Sequence, residues 1–214
     1  METLNRILDH AEEMFLRIGV KSITLNDLAR ELGISKKTIY QHFENKAQLV
    51  QAVSERFFRS EEAEMLKITA NAKNAIEEIV LIMQGMVQSK ANISQNLIFE
   101  VQKYYPKAWR VFEGHSCNFM MQKVEENLRR GVAEGLYRSD LNIDLTARLR
   151  VAHVEAGFRP DLFPPNQFSF IEIQTATTEI YLHGIVSEKG REILQLLSQP
   201  THNAQVFIPG QNKH

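Results

Sequence analysis

Apolar residues recur at three- and four-residue steps along most of the chain, the spacing of amphipathic helices. Leu4, Ile7, Leu8, Ala11, Met14, Phe15 and Ile18 make one such stripe, and Gly19 suits a left-handed stop behind it. Thr24 and Asp27 have the spacing of a capping box for a second helix, whose apolar face is Leu25, Leu28, Ala29 and Leu32 and which Gly33 ends. Ser35 is a good N-cap for a very short third helix, Lys36 to about His42, with Ile39 and Phe43 inward and Ile34 just before the cap. Asn45 caps a fourth helix to about Glu64, with Gln48 three residues on and Leu49, Val50, Val53 and Phe57 inward.

Beyond residue 60 the predicted helices lengthen. AIEEIVLIMQGMVQS is apolar nearly all round and so reads as buried. SQNLIFEVQKYY is stopped by Pro106; a long helix runs from about Ala108 to Glu134 and ends at Gly135. Asp144 caps a helix through about Gly157, residues 159–166 form a Pro-rich loop, Gln167–His183 is another long helix, and Ser187 caps a last short one. No strand alternation, repeat or low-complexity tract stands out. The pattern predicts an all-α chain: an N-terminal three-helix head at 1–48, a larger helical body at 49–199 joined through the fourth helix, and a loose polar tail at 200–214.

Composition narrows this picture. The chain has 214 residues, 43% hydrophobic and 24% charged, which is ordinary for a globular protein with a real core. The formal net charge of −1 excludes a coat for polyanions, so any nucleic-acid site has to be a local patch. A single cysteine, Cys117, cannot form an intrachain disulfide and suits a reducing compartment. The N-terminus lacks a signal-peptide apolar run, and no stretch is long and apolar enough to span a bilayer. A soluble, cytoplasmic protein without membrane contact is expected.

Two short helices around a tight Gly turn are the helix-turn-helix pattern. Such a unit lays its first helix across the DNA backbone and sends the second into the major groove. The outward residues of that second helix are Lys36, Lys37, Thr38, Tyr40 and Gln41, and cationic and hydroxyl groups suit groove readout. The pattern by itself also fits a solvated helical hairpin.

The stretch AEEMFLRIGVKSITLNDLARELGISKKTIYQHFENKAQLV resembles the DNA-binding region of TetR-family transcriptional repressors over roughly residues 4–53. The resemblance rests on the A…F…G helix ending, the Thr before D-L-A, the L-G-I-S turn, T-I-Y-x-H-F and N-K-x-x-L. It implies DNA-backbone contacts for Tyr40, His42 and Lys46, with Thr24 and Asn26 near the start of the second helix touching backbone or base edge. Lys36, Lys37 and Thr38, following Ser35, match base-reading positions. Lys37 departs from the small residue common there, which bears on sequence preference. Phe43, Ala29 and Leu32 match the core of the head.

The same resemblance implies a homodimer on a palindromic double-stranded operator. The candidate dimer stripes are Leu145, Leu149, Ala152 and Ala156 on one helix and Ile173, Ala176, Ile180 and Gly184 on another; either stripe could equally pack inside one subunit. It also implies a small-molecule effector in the body, with Met83, Met86, Phe99, Tyr104, Trp109, Phe112, Phe119, Met120 and His153 as candidate lining, though plain core packing fits each one too. A helical enzyme or ligand carrier with a vestigial head, or control by a protein partner or thiol oxidation, are the competing readings.

Catalytic, metal and cofactor sites are not expected. His115 and Cys117 lack further ligands, and no acid adjacent in sequence orients the histidine. The acid pairs Glu61–Glu62, Glu77–Glu78 and Glu125–Glu126 read as solvated helix faces, and no phosphate loop or H-E-x-x-H is present.

Overall fold

A computed structural model describes residues 2–90, 96–164 and 166–197. Among them, the structure is helical without strands: α1 Glu2–Ile18, α2 Leu25–Leu32, α3 Lys36–Tyr40, α4 Lys46–Asn71, α5 Ala75–Lys90, α6 Asn96–Tyr104, α7 Pro106–Gly114, a π-helical segment His115–Met120, α8 Met121–Ala133, α9 Ile143–Ala156, α10 Phe170–Ile185 and α11 Glu188–Leu197. The sole sheet-like pairing among the described residues is an isolated antiparallel bridge between Tyr137 and Val186. The polar tail at 200–214 lies outside the described residues.

The described residues divide into two compact units: those within Met1–Ala63 and Asn92–Cys117, and those within Glu64–Ala91 and Asn118–His214. The first is built on the stripe of α1, with Ile7, Ala11, Met14 and Phe15 buried against Leu28, Ile39, Phe43, Leu49, Val50 and Val53. Leu97 of α6 and Ala108 of α7 belong to the same core. Gly19 ends α1 at φ 83°, and the Glu100 carboxylate of α6 comes close enough to accept the Lys21 backbone N–H at 2.7 Å. A Cβ at Gly19 would lie 2.8 Å from that carboxylate, whose flexible end can shift, so it is the backbone angle that requires glycine. Arg56 of α4 ties back to α1 through Asp9 at 2.7 Å and Glu12 at 2.9 Å.

The second unit packs α5, α8, α9, α10 and α11 around Ile76, Met83, Leu128, Tyr137 and Leu182. The buried polar groups around Ala75 are satisfied locally. The Tyr137 hydroxyl donates at 3.0 Å to the Ala75 carbonyl or the Asn127 side-chain oxygen, and the Asn127 amide donates to Ala75 at 2.9 Å. Glu78 is not on a solvated face: it is 3% exposed and accepts from Arg130 at 3.2 Å and Thr69 at 3.3 Å. Burial raises its carboxyl pKa against the pull of those donors.

Several element boundaries differ from the sequence expectation. Pro106 does stop α6, yet it also opens α7 at a first-turn position, where its missing N–H costs nothing. The long helix expected over 108–134 is interrupted by the π segment at 115–120. Asn142, not Asp144, caps α9, accepting the Leu145 N–H at 3.1 Å; Asp144 sits in the first turn and pairs with Arg148 instead. α10 starts at Phe170 because Ser169 and Glu172 form a capping box. α4 runs past Glu64 to Asn71, since no Gly or Pro intervenes.

Candidate nucleic-acid interface

Local capping places the interface. The Thr24 hydroxyl accepts the Asp27 N–H at 3.1 Å and donates to the Asp27 carboxylate at 2.6 Å, while the Thr24 N–H reaches the same carboxylate at 3.0 Å. These bonds hold the Asp27 carboxyl below its ordinary range. Gly33, at φ 64°, turns the chain with its N–H given back to the end of α2. Ser35 then caps α3, accepting the Thr38 N–H at 3.1 Å, with the two hydroxyls 2.9 Å apart. Helical geometry ends at Tyr40, short of His42, and Gln41 and His42 follow as a turn.

Ile39 is fully buried and Phe43 nearly so, and these two seat α3 on the core. Full burial of a side chain of that size is worth roughly 1.5–3 kcal/mol. The opposite side is left to solvent: Lys36, Lys37, Tyr40, Gln41 and His42 are all exposed, as are Thr24, Asn26 and Ser35 on the adjoining turns. Thr38 is half-buried. The Lys36 ammonium stands 5.5 Å from the centre of the Tyr40 ring, a cation–π distance. Among the described residues, the side chains of Lys37, Gln41 and His42 engage no other group. The face therefore offers two cations and several hydrogen-bonding groups that the fold has not used.

Lys46 is different. At the first position of α4 its ammonium donates at 2.6 Å to the Val20 carbonyl and lies 3.5 Å from that of Lys21. Partial burial lowers its pKa, opposed by the charges of Glu100 and Asp27. Capping of α4 itself is reciprocal: Asn45 accepts the Gln48 N–H at 3.0 Å, and Gln48 accepts the Glu44 N–H at 2.7 Å.

Residues 7–53 match the family described as bacterial regulatory proteins of the tetR family. The chain is 25% identical over 175 residues to the HTH-type transcriptional regulator YvaF of Bacillus subtilis, covering 78% of this chain and 88% of that one. It is 26% identical over 151 residues to the HTH-type transcriptional repressor KstR2 of Mycolicibacterium smegmatis, covering 67% of this chain and 72% of that one. The chain belongs to the tetR family of regulators. A solved transcriptional regulator from Saccharomonospora viridis, in complex with choline, shares the fold with a TM-score of 0.71 at 20% identity, over 87% of this chain and 99% of that one.

The regulator is thus a DNA-binding, helix-turn-helix transcriptional protein, of a family whose members act as dimers and take small-molecule ligands. No helix among its described residues is long and apolar enough to cross a membrane. Of the expected dimer stripes, Leu145 and Leu149 are each 52% exposed and Ile180 is 67% exposed, with Ala152, Ala176 and Gly184 open beside them. Ala156 is half-buried. Ile173 is the exception: it points into its own unit and is 6% exposed, because α10 turns that register position toward the core.

The expected effector-lining residues do not form one set. Phe99, Tyr104, Trp109 and Phe112 belong to the first unit, and Met83, Met86, Phe119, Met120 and His153 to the second. Phe99 and Tyr104 are exposed, whereas Met83 and Phe112 are buried core. Trp109 stacks on Phe112 at 4.6 Å. An acid does reach His115: although none is adjacent in sequence, Glu62 of α4 lies 3.0 Å from its Nδ1, and the ring stacks on Phe58. Cys117 is exposed.

Apart from His153, sequence reasoning passed over a polar group in the second unit. Arg150 of α9 donates to the Thr178 hydroxyl of α10 at 2.8 Å and sits 5.2 Å from the centre of the Tyr181 ring. Its Nη1, His153 Nδ1, the Gln174 side-chain oxygen and the Tyr181 hydroxyl are buried without a partner among the described residues. Burial lowers the Arg150 pKa and pushes the Tyr181 hydroxyl well above its ordinary value. The signal was faint: Gln174, Thr178 and Tyr181 are polar residues at helical spacing, but the same segment also holds Glu172, Thr175, Thr177, Glu179 and His183.

Proposed function

We propose that this chain is a sequence-specific repressor that binds a palindromic double-stranded operator as a homodimer and leaves it when a small-molecule effector binds the body. The observation that carries this reading is α3, anchored by buried Ile39 while Lys36, Lys37, Tyr40, Gln41 and His42 stay exposed. Residues 1–48 act as the reading head, with Lys36, Lys37 and Thr38 on base edges. Tyr40, His42, Thr24, Asn26, Ser35 and Gln41 contact the backbone or the groove wall. A face with two free lysines reads only a few base pairs, so selectivity requires two heads on half-sites about 34–36 Å apart or a multiple of that spacing.

The exposed Leu145, Leu149 and Ile180 support a dimer face on α9 and α10, where Ala152, Ala176 and Gly184 let symmetry-related helices approach closely. Effector control is read from α4, a single 26-residue helix that supplies residues to both units, so a shift in its second half is transmitted to the head. The effector has to favour one state over the other to do this. Choline, held by the Saccharomonospora viridis regulator, is disfavoured here by the buried Arg150 cation. The protein acts in the cytoplasm, where its operator is.

Selection of bound DNA from a random pool tests the reading. A palindromic consensus supports the dimeric repressor; recovery of unselected sequence refutes it. Lys37→Ala is expected to relax discrimination at one base pair by about 1–3 kcal/mol while leaving the other positions of the consensus intact.

A further inference from the structure

The polar group on α9 and α10 is built in a way that core packing does not explain. Arg150 and His153 stand one turn apart on α9, and Gln174, Thr178 and Tyr181 follow one stripe of α10. The local bonds hold this stripe in place but do not saturate it. Gln174 donates an amide N–H to the Val154 carbonyl at 3.0 Å, and the Thr178 hydroxyl donates to the Met83 sulfur at 3.3 Å. Gly157 leaves room for the Gln174 amide, which a Cβ there would strike.

What is left over has a definite chemistry. A guanidinium has five N–H groups and stays charged under physiological conditions. Arg150 uses Nη2 on Thr178, its Nη1 faces no acceptor, and no carboxylate lies within ion-pair distance of it among the described residues. Burying an unpaired cation is unfavourable unless an anion joins it. The Tyr181 hydroxyl supplies a further donor, His153 Nδ1 either a donor or an acceptor, and Gln174 Oε1 an acceptor. One fixed positive charge, a planar fork and a nearby hydroxyl match a group of single negative charge with two coplanar oxygens.

We propose that the second unit binds a small organic monocarboxylate, paired to the Arg150 guanidinium and bonded by the Tyr181 hydroxyl, with Gln174 and His153 completing its polar shell. A phosphate monoester carries more charge than one guanidinium neutralises, and a quaternary ammonium is repelled. This rests on the reading that the body holds the regulator's effector, and it names that effector's class.

The test uses the full chain and a panel of monocarboxylates from acetate to decanoate, with benzoate. The matching primary amides, inorganic phosphate and tetramethylammonium serve as controls. Calorimetric titration and thermal melting are run on wild type, Arg150→Met and Tyr181→Phe. At least one carboxylate is expected to bind and raise the melting temperature, its amide to bind about tenfold or more weakly, and Tyr181→Phe to weaken it by a similar factor. Arg150→Met is expected to fold as well as wild type without ligand, because it removes an unpaired buried charge, and to lose the carboxylate response. Should Arg150→Met fail to fold, Tyr181→Phe and the amide comparison decide.

No carboxylate response in the wild type overturns the proposal, as does an equal response from acid and amide or tighter binding of tetramethylammonium. Operator release is scored separately. A carboxylate that binds through Arg150 yet leaves DNA affinity unchanged keeps this site and removes the release mechanism. Release by neutral or cationic compounds, undiminished in Arg150→Met, keeps the mechanism and removes this site.

Discussion

Lys46 offers a direct test of how the head is held together. Its ammonium reaches the Val20 carbonyl at 2.6 Å, across the turn that joins α1 to α2. A hydrogen bond from a charged donor is worth roughly 1.5–3 kcal/mol. Two effects reduce that figure: the side chain is only half-buried, so water screens it, and the desolvation that lowers its pKa opposes the bond. A net loss of about 1 kcal/mol is expected for Lys46→Met, which keeps the length of the stem.

The assay is built into the chain. Its only tryptophan, Trp109, lies in the first unit against Phe112, so its fluorescence reports unfolding of that unit. With a urea dependence of about 2 kcal/mol per molar, a loss of about 1 kcal/mol lowers the midpoint by about 0.5 M. A lysine whose only work is on DNA behaves differently. Its removal leaves the urea midpoint unchanged and lowers the slope of log affinity against log salt by about 0.9. An unshifted midpoint together with that fall in slope would refute the internal pin.

Four further substitutions probe the head and the exposed face of α9 and α10. Gly33→Ala meets no atom within 4 Å but must hold φ 64°, so it is expected to cost about 1–2 kcal/mol and to weaken operator binding, read by melting and gel shift. Asp27 has a carboxyl pKa lowered by Thr24, so its contribution is present above its ordinary value of 3.8 and disappears as pH falls through the lower folded value. Urea midpoints of wild type and Asp27→Asn should therefore differ near neutrality and converge in acid; a constant gap would contradict the linkage. Leu149→Glu and Ile180→Glu place charge on the exposed α9 and α10 positions and should shift the protein toward monomer in sedimentation while preserving helix content.

Much of the fold could be read from the chain because its punctuation is chemical. Gly19, Gly33 and Gly135 were expected to end helices, and all three adopt positive φ. Thr24, Ser35 and Ser187 each accept the expected N–H. The reading fails where two signals compete or none exists. Asn142 and Asp144 are both capping residues two positions apart, and only the path of the chain into α9 selects Asn142. The π segment His115–Met120 leaves no trace in the apolar spacing. Glu78 looks like a surface acid until Arg130 and Thr69, from other helices, close over it.

The two candidate sites differ in legibility for a physical reason. The DNA face is contiguous: residues 24–46 carry the cap, the turn, the anchor Ile39 and the exposed lysines within a single stretch, so local rules suffice to lay it out. The proposed carboxylate site is assembled from α9 and α10, and its key property is a missing partner, which no local pattern encodes. In the sequence, Arg150 lies two residues after Arg148, and the two are the same residue type in the same segment. Arg148 pairs with Asp144 at the surface, while Arg150 turns inward to Thr178 and Tyr181. Burial alone separates a solvated cation from one waiting for an anion, and burial is decided by which face α9 turns to α10.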